Sequence, residues 1–419
     1  MSHRPGLLSL FCCLAGLCAL LSSMPARAGD AVELLFWSRD YQGSIAGKAV
    51  TVSLTRLAGT ISGQYCYLPC TEAKRSRLQL TGKLLPDGRV MLAERDIGDG
   101  KTQGKASGQW RGLLQGEALS GDWLSPDGKR RAPLLLTQWR ENRPFPYEIR
   151  LLASGQPKDD DRCNDVPSVS AIRLYDKGRL VQELATDSQG TCSMFLPETV
   201  DANFDGWPDL MLAQTLPAGP NIPYQFWLYN PKTRRFVEAP ELNEVSSPMF
   251  DAANKVVWTA WRASCCEHGV TTWRWQGGKL VEGESQSSYV LPVMDGAVRR
   301  YCYVVPDYDN GAIVFRDRVE QGVDGRLRLS FSDLKDCEAK DDFMPERAAL
   351  EVWRQDAASG QWRVVRREEP GWKKTATAKG ARWCRELPFF DKGRIRRIVL
   401  QDDPDNCETS DPDQPASAN

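Results

Sequence analysis

Histidine is nearly missing from this 419-residue chain: it has 2, His3 and His268. A Ser-His-Asp or Cys-His arrangement needs an imidazole beside its nucleophile, so it would have to be built on His268, in Cys-Cys-Glu-His-Gly. There is no G-x-S-x-G, no H-E-x-x-H, no Walker sequence and no Gly-rich phosphate loop, which excludes the hydrolase and nucleotide chemistries those motifs carry. An excess of charge is missing too. The 54 Lys and Arg stand against 55 Asp and Glu, for a net charge of −1, and no basic block or basic-aromatic alternation occurs, so a nucleic-acid surface is excluded. A glycosidase needs only two carboxylates. Asp165, Glu267 and Glu282 are available, but nothing in their setting distinguishes them from solvated acidic residues.

Long apolar runs are confined to residues 7–21. His3 and Arg4 precede that run and Ala26-Arg27-Ala28 follows it, the pattern of a Sec-type signal peptide (residues 1–28) cleaved after Ala28. The run is too short to span a membrane, and Leu17 precedes Cys18 where lipid attachment would ask for a small residue. The expected product is therefore periplasmic or secreted, with no membrane span. Cleavage removes Cys12, Cys13 and Cys18 of the 13 cysteines and leaves Cys66, Cys70, Cys163, Cys192, Cys265, Cys266, Cys302, Cys337, Cys384 and Cys407. An even set in an exported chain implies disulfides whose pairing the sequence does not fix. No free thiol is expected, and adjacent Cys265 and Cys266 are expected to tie two different segments to one strand end. Zinc is a poor alternative, because neither Cys66-x-x-x-Cys70 nor the vicinal pair is followed by a His-x-x-x-His partner.

Roughly 390 residues after the leader are enough for two or three domains with their own cores. Residues 29–143 read as an antiparallel β domain, a barrel- or sandwich-like meander without helix. Val50, Val52 and Leu54 alternate with Thr51, Ser53 and Thr55, and Pro86-Asp87-Gly88 and Pro126-Asp127-Gly128 supply hairpin turns. A weak repeat, Ser62-Gly63-Gln64-Tyr65, Ser107-Gly108-Gln109-Trp110 and Ser120-Gly121-Asp122-Trp123, places a Gly and then an aromatic at successive strands, with the aromatics expected to fill the interior. Pro144 and Pro146 mark a boundary. Residues 144–290 read as an all-β, propeller-like region with strands ten to twenty residues apart. Residues 291–401 form a Cys-containing β region in which 344–355 is open to a short helix, and 402–419 is an acidic flexible tail that Cys407 is expected to pin.

The clearest chemistry is at residues 201–209, Asp-Ala-Asn-Phe-Asp-Gly-Trp-Pro-Asp. Asp201, Asn203 and Asp205 put hard oxygen ligands at alternate positions, Gly206 permits the sharp turn, Trp207 can offer its carbonyl, and Asp209 can complete the shell, which together describe a Ca²⁺ loop. The twelfth position, where an EF-hand carries its bidentate Glu, is Leu212, and Pro208 leads into the apolar run 210–213. The loop therefore reads as a connection between strands. It resembles the calcium loops of integrin-type β-propellers.

A longer resemblance covers residues 172–281: the calcium loop, then Tyr-Gln-Phe-Trp-Leu-Tyr at 224–229, Asn230-Pro-Lys-Thr, Phe236-Val237, Leu242, Phe250-Asp251, and Trp-Arg-Trp-Gln-Gly-Gly-Lys-Leu at 273–280. This pattern is similar to the calcium-loop immunity proteins of the Gram-negative periplasm, a family that protects its producer against peptidoglycan-cleaving toxins and can inhibit lysozyme-type glycohydrolases. The resemblance implies a binding protein and not an enzyme, a Ca²⁺ cofactor, and a cell-wall hydrolase or toxin as protein partner. The loop after Asp209 and the aromatic strand 224–229 are the first places to look for the contact surface. Ser62-Gly63-Gln64-Tyr65 is also similar, one residue out of step, to the Ser-Gly-x-x-Tyr loop that other lysozyme inhibitors insert into the enzyme cleft. The alternative function is a glycan-binding protein or a hydrolase of all-β fold, with 14 Trp and 11 Tyr available to stack on sugars.

Overall fold

Alternation of apolar and polar residues along the first strands curls them into a closed barrel. The computed structural model describes residues 31–70, 78–97, 104–140, 143–157, 166–331, 333, 334, 337, 347–402 and 404–413. The expected signal peptide, Cys163, Asp165 and the end of the acidic tail lie outside them. Strands β1 (Val32–Ile45), β2 (Lys48–Leu57), β3 (Thr60–Tyr67), β4 (Leu78–Leu84), β5 (Arg89–Asp96), β6 (Ala106–Gln115), β7 (Ala118–Leu124) and β8 (Arg131–Trp139) form an antiparallel meander. It closes where Asp40 to Ile45 of β1 pair with Trp139 to Leu134 of β8. Val50, Val52 and Leu54 point inward with Tyr41, Ile61, Leu80, Leu92, Trp110, Leu119 and Leu134, while Ser53, Arg89 and Arg111 face out. Eight strands leave an interior that side chains fill, and a polar exterior over an apolar interior is the reverse of a membrane barrel. No helix among the described residues is long and apolar enough to cross a membrane.

The weak repeat has a specific role in this barrel. Glu94 occupies an inward position of β5 and is 2% exposed. Its Oε2 accepts hydrogen bonds from the Tyr65 hydroxyl (2.9 Å), the Trp110 indole N–H (2.9 Å) and the Trp123 indole N–H (3.0 Å), the aromatics that end the three repeat units. Gly108 is required for this convergence, because a Cβ there would lie 2.3 Å from Trp123 Nε1. Tyr65, 4% exposed and set in strand β3, is thus a wall residue of the barrel. That corrects the expectation of an inhibitory loop at Ser62 to Tyr65: regular antiparallel pairing on both sides of β3 leaves nothing to insert into an enzyme.

The sheet does not stop at Pro144 and Pro146. β1 is long enough to serve two bodies: its first half, Val32 to Phe36, pairs with β9 (Glu148–Ala153), which continues into β10 (Val169–Asp176) and β11 (Arg179–Ser188). This extension packs against a four-stranded antiparallel sheet of β12 (Glu198–Val200), β13 (Asp209–Ala213), β14 (Tyr224–Asn230) and β15 (Arg235–Glu238), with Leu151, Ile172, Leu212, Trp227 and Phe236 in one core. A single turn of helix (Pro240–Asn243) leads to a second four-stranded antiparallel sheet, β16 (Met249–Asp251), β17 (Val256–Arg262), β18 (His268–Gln276) and β19 (Lys279–Ser287). Two consecutive four-stranded meanders are blade-type units, so the region is all-β and propeller-like as its strand spacing implies. The Trp275 indole N–H reaches from the second to the Ala202 carbonyl beside the first, at 2.8 Å.

The last part is a mixed-sheet assembly. One sheet runs β21 (Val298–Val304), β20 (Tyr289–Asp295), β29 (Gly380–Asp391), β28 (Gly371–Thr377), with β30 (Arg394–Val399) and β31 (Cys407–Glu408) also on β29. Between these in sequence are a small pair, β22 (Asp307–Asp309) and β23 (Ala312–Val314), and a sheet of β25 (Leu327–Leu329), β24 (Val319–Gln321), β26 (Leu350–Gln355) and β27 (Trp362–Glu368). Residues 350–355 are therefore strand where a short helix was an option: Leu350, Val352 and Trp353 are buried between β24 and β27, and pairing on both edges outweighs any helical preference. Disulfides join Cys66–Cys70, Cys302–Cys337 and Cys384–Cys407, and Cys192 is also disulfide-bonded. Cys265 and Cys266, by contrast, are exposed free thiols. The expectation that they tie two different segments is corrected, since the hairpin tip that carries them brings no other described cysteine into reach.

Candidate functional site: an acidic loop beside an arginine-lined cleft

The loop at 201–208 joins two antiparallel strands, with Val200 of β12 opposite Asp209 of β13, and no helix flanks it. Gly206 at φ +83° and Phe204 at φ +60° turn the chain sharply. The side chains of the motif then bond to the loop's own backbone. Asp201 accepts the N–H groups of Asp205 and Gly206 (both 2.9 Å), Asn203 Oδ1 accepts that of Asp205 (3.1 Å), and Asp205 Oδ1 accepts that of Trp207 (2.9 Å). Asp209 is fully buried, with Oδ2 accepting the N–H of Ala202 (2.9 Å) and Oδ1 that of Tyr229 (2.8 Å), so it staples the loop entrance to β14.

Burial pushes the Asp209 carboxyl up to about 7, against the pull of those two N–H groups, and the charges of Asp205 and Asp201 add to the rise. Asp201 is raised as well, again by burial. Three acids, Asp201, Asp205 and Asp209, crowd one turn. Among the described residues no three His, Cys, Asp or Glu side chains are grouped so as to hold an ion between them. The motif nonetheless fits Ca²⁺ in the character of its donors. Every donor is a hard oxygen, each carboxylate keeps lone pairs beyond those used by the backbone, and a cation would offset the burial and the neighbouring charges that lift Asp209.

Trp207 connects this loop to a cleft. Its ring lies tilted against Tyr229 (centroids 5.3 Å) and carries the Arg143 guanidinium 4.4 Å from its centroid. Pro208, Val200 and Thr199 line a cavity of about 580 Å³ together with β1 from Leu35 to Asp40, residues 138–140 and 143–145, and Tyr147 to Ile149. Four arginines line it, Arg39, Arg56, Arg140 and Arg143, against Asp40 and Glu148, with Trp37, Trp139, Phe145 and Tyr147 between them. Arg140 is paired with Glu117 at 2.7 Å, and Arg56 donates to the Ala58 carbonyl at 2.7 Å. Burial, with the Arg39 charge adding, holds Arg56 below the usual guanidinium range. Arg39 lies 4.7 Å over Trp37, and among the described residues neither it nor Arg143 pairs with a carboxylate.

The expected contact strand is differently placed. Phe226, Trp227 and Tyr229 of β14 are buried between β13 and β15, so they are core and not surface. His268 has its Nε2 3.4 Å from the Cys265 carbonyl and its ring edge-on to Tyr303, 6.0 Å between centroids. Glu267 is salt-bridged to Arg347 at 2.6 Å. The cleft residues were missed by reading the sequence alone. Trp37 and Arg39, two apart on one strand, share a face by the period of two, and that signal was available. Their meeting with Arg143 depends on β1 passing from β8 to β9, which no local pattern announces.

A family model described as a domain of unknown function (DUF8339) matches residues 290–412, the mixed-sheet part of the chain and not the cleft. No curated relative matches the chain. A solved structure, that of Pseudomonas aeruginosa periplasmic gluconolactonase, PpgL, overlaps 87% of this chain and 96% of its own at 14% identity and a TM-score of 0.18, a likeness too slight to bear on the fold or activity here.

Proposed function

We propose that this chain is a periplasmic binding protein, stabilised by Ca²⁺, that blocks a peptidoglycan hydrolase or lysozyme-like toxin sterically, as an immunity protein, and does no chemistry of its own. The observation that carries this reading is the cleft at the calcium-type loop, where Arg39 and Arg143 rest on Trp37 and Trp207 and pair with no carboxylate among the described residues. Arg, Trp and Tyr are the usual anchors of protein interfaces. A glycosidase active site carries two carboxylates, which such a surface complements. The resemblance over residues 172–281 supports the same partner class. Asp201, Asn203, Asp205, the Trp207 carbonyl and Asp209 would hold the ion, which would keep the Pro208 side of the cleft ordered and so reduce the entropy lost on binding.

The purified protein is expected to inhibit at least one peptidoglycan hydrolase at a near-stoichiometric ratio. The double variant Arg39→Ala, Arg143→Ala should weaken inhibition at least about tenfold, and His268→Ala should leave it intact. Hydrolysis by the protein itself that vanishes in the His268 variant would overturn the reading. A second reading rests on the concavity of the cleft and its tryptophans: direct capture of an anionic cell-wall glycan. Binding of soluble muropeptides that the double variant loses, with no inhibition of any hydrolase, would favour it.

The ion has its own test. A ligand that binds only the folded state adds RT ln(1 + [L]/Kd), about 2.7 kcal/mol at a hundredfold excess over Kd. Chelation should lower the melting temperature, and Asp205→Ala should abolish the response to chelator. An identical melt with and without chelator would remove calcium from the account.

A further inference from the structure

Among the described cysteines, Cys66, Cys70, Cys192, Cys302, Cys337, Cys384 and Cys407 are bonded, and Cys265 and Cys266 alone keep their thiols. They stand at the exposed tip of the β17–β18 hairpin, just beyond the last strand pair, Arg262 opposite His268. The Ala263 N–H closes the tip on the Glu267 carbonyl at 2.9 Å. The two sulfurs face each other at 2.6 Å. The backbone beneath them is held from the mixed-sheet part of the chain, since the Cys266 carbonyl accepts the Tyr303 hydroxyl and also Arg347 Nη1 at 2.6 Å. The Cys265 thiol holds that of Cys266 up, and the positive charges of Arg347 and Arg262 act in the opposite sense. A pair of exposed, facing thiols on an anchored turn is what thiol–disulfide exchange requires: access, one sulfur to attack and a second to resolve.

We propose that Cys265 and Cys266 form a redox-active dithiol that reduces a disulfide and closes to a vicinal disulfide in doing so. One thiol loses its proton and its sulfur attacks a disulfide R–S–S–R′. R′–S⁻ leaves and takes up a proton, and a mixed disulfide to R remains. The second cysteine then loses its proton, displaces R–S⁻ and forms the Cys265–Cys266 bond. Two electrons and two protons have passed to the substrate, which departs as two thiols, and the reverse sequence reopens the pair. The substrate class is a disulfide, carried by a small thiol compound or by an exported polypeptide.

The test uses the full chain equilibrated in glutathione buffers of stepped ratio, quenched by alkylation and mapped by mass spectrometry. The 265–266 peptide should pass from doubly alkylated to closed within the glutathione range, while Cys302–Cys337 and Cys384–Cys407 remain closed throughout, as structural disulfides do. Cys266→Ser should trap a mixed disulfide on Cys265. Run with oxidised glutathione and with a disulfide-bonded unfolded peptide, this variant separates the two sources by which adduct forms. A pair that stays open in the most oxidising buffer, a pair that stays closed in the most reducing one, or variants Cys266→Ser and Cys265→Ser that both form no adduct with either substrate would each overturn the proposal.

Discussion

Replacing Glu94 by Ala is expected to destabilise the barrel by at least about 3 kcal/mol, because each buried donor left without an acceptor costs about 1–3 kcal/mol. Three donors depend on this carboxylate: the Tyr65 hydroxyl and the indole N–H groups of Trp110 and Trp123. Trp110 is 1% exposed and Tyr65 4%, so water cannot take over without opening the wall. Glu94→Gln keeps an acceptor of the same shape and should lose much less. Gly108→Ala attacks the same network from the other side, since its Cβ would meet Trp123 Nε1 at 2.3 Å and Glu94 Oε1 at 3.1 Å. Most of the 14 Trp lie outside β1 to β8, so urea unfolding is followed by hydrogen exchange of the barrel strands, which reads the barrel separately. A midpoint for Glu94→Ala within experimental error of the parent would show that the convergence is incidental.

This network also illustrates what a sequence exposes and what it hides. The alternation of Val50, Val52 and Leu54 and the two Pro-Asp-Gly turns lead to the observed strands, because strand period and turn chemistry are local properties. The acidic loop is equally local: its oxygen ligands and Gly206 lie within nine consecutive residues. The repeat of Gly and aromatic was visible as a pattern, yet its meaning depends on Glu94, which sits on a fourth strand at an alternating position where the pattern calls for an apolar side chain. The double use of β1, whose two halves pair with different strands along one edge, follows from barrel closure and has no signature in its fourteen residues. The thiols of Cys265 and Cys266 could not be told from bonded cysteines by counting, because an even total is compatible with any number of open pairs.

Barrel and mixed-sheet part are expected to respond differently to loss of a disulfide. In the chain-entropy account, a cross-link stabilises by restricting the unfolded chain, more so for longer loops. Cys302–Cys337 and Cys384–Cys407 enclose separations of 35 and 23 residues, against 4 for Cys66–Cys70. The first two should therefore contribute about 3 to 4 kcal/mol each, and the last about 2. Burial adds to the contrast. Cys302 and Cys384 are fully buried, Cys302 and Cys337 belong to the core that holds Phe315 and Val352, and Cys384–Cys407 fastens the last strand, β31, to β29. The double variant Cys384→Ser, Cys407→Ser should lower the unfolding midpoint of residues 289–408 and expose their amides to hydrogen exchange, while strands β2 to β7, which rest on a separate core, keep their protection. Equal loss of protection in both parts would mean that they unfold as one cooperative unit, and that the separate cores do not confer separate stabilities.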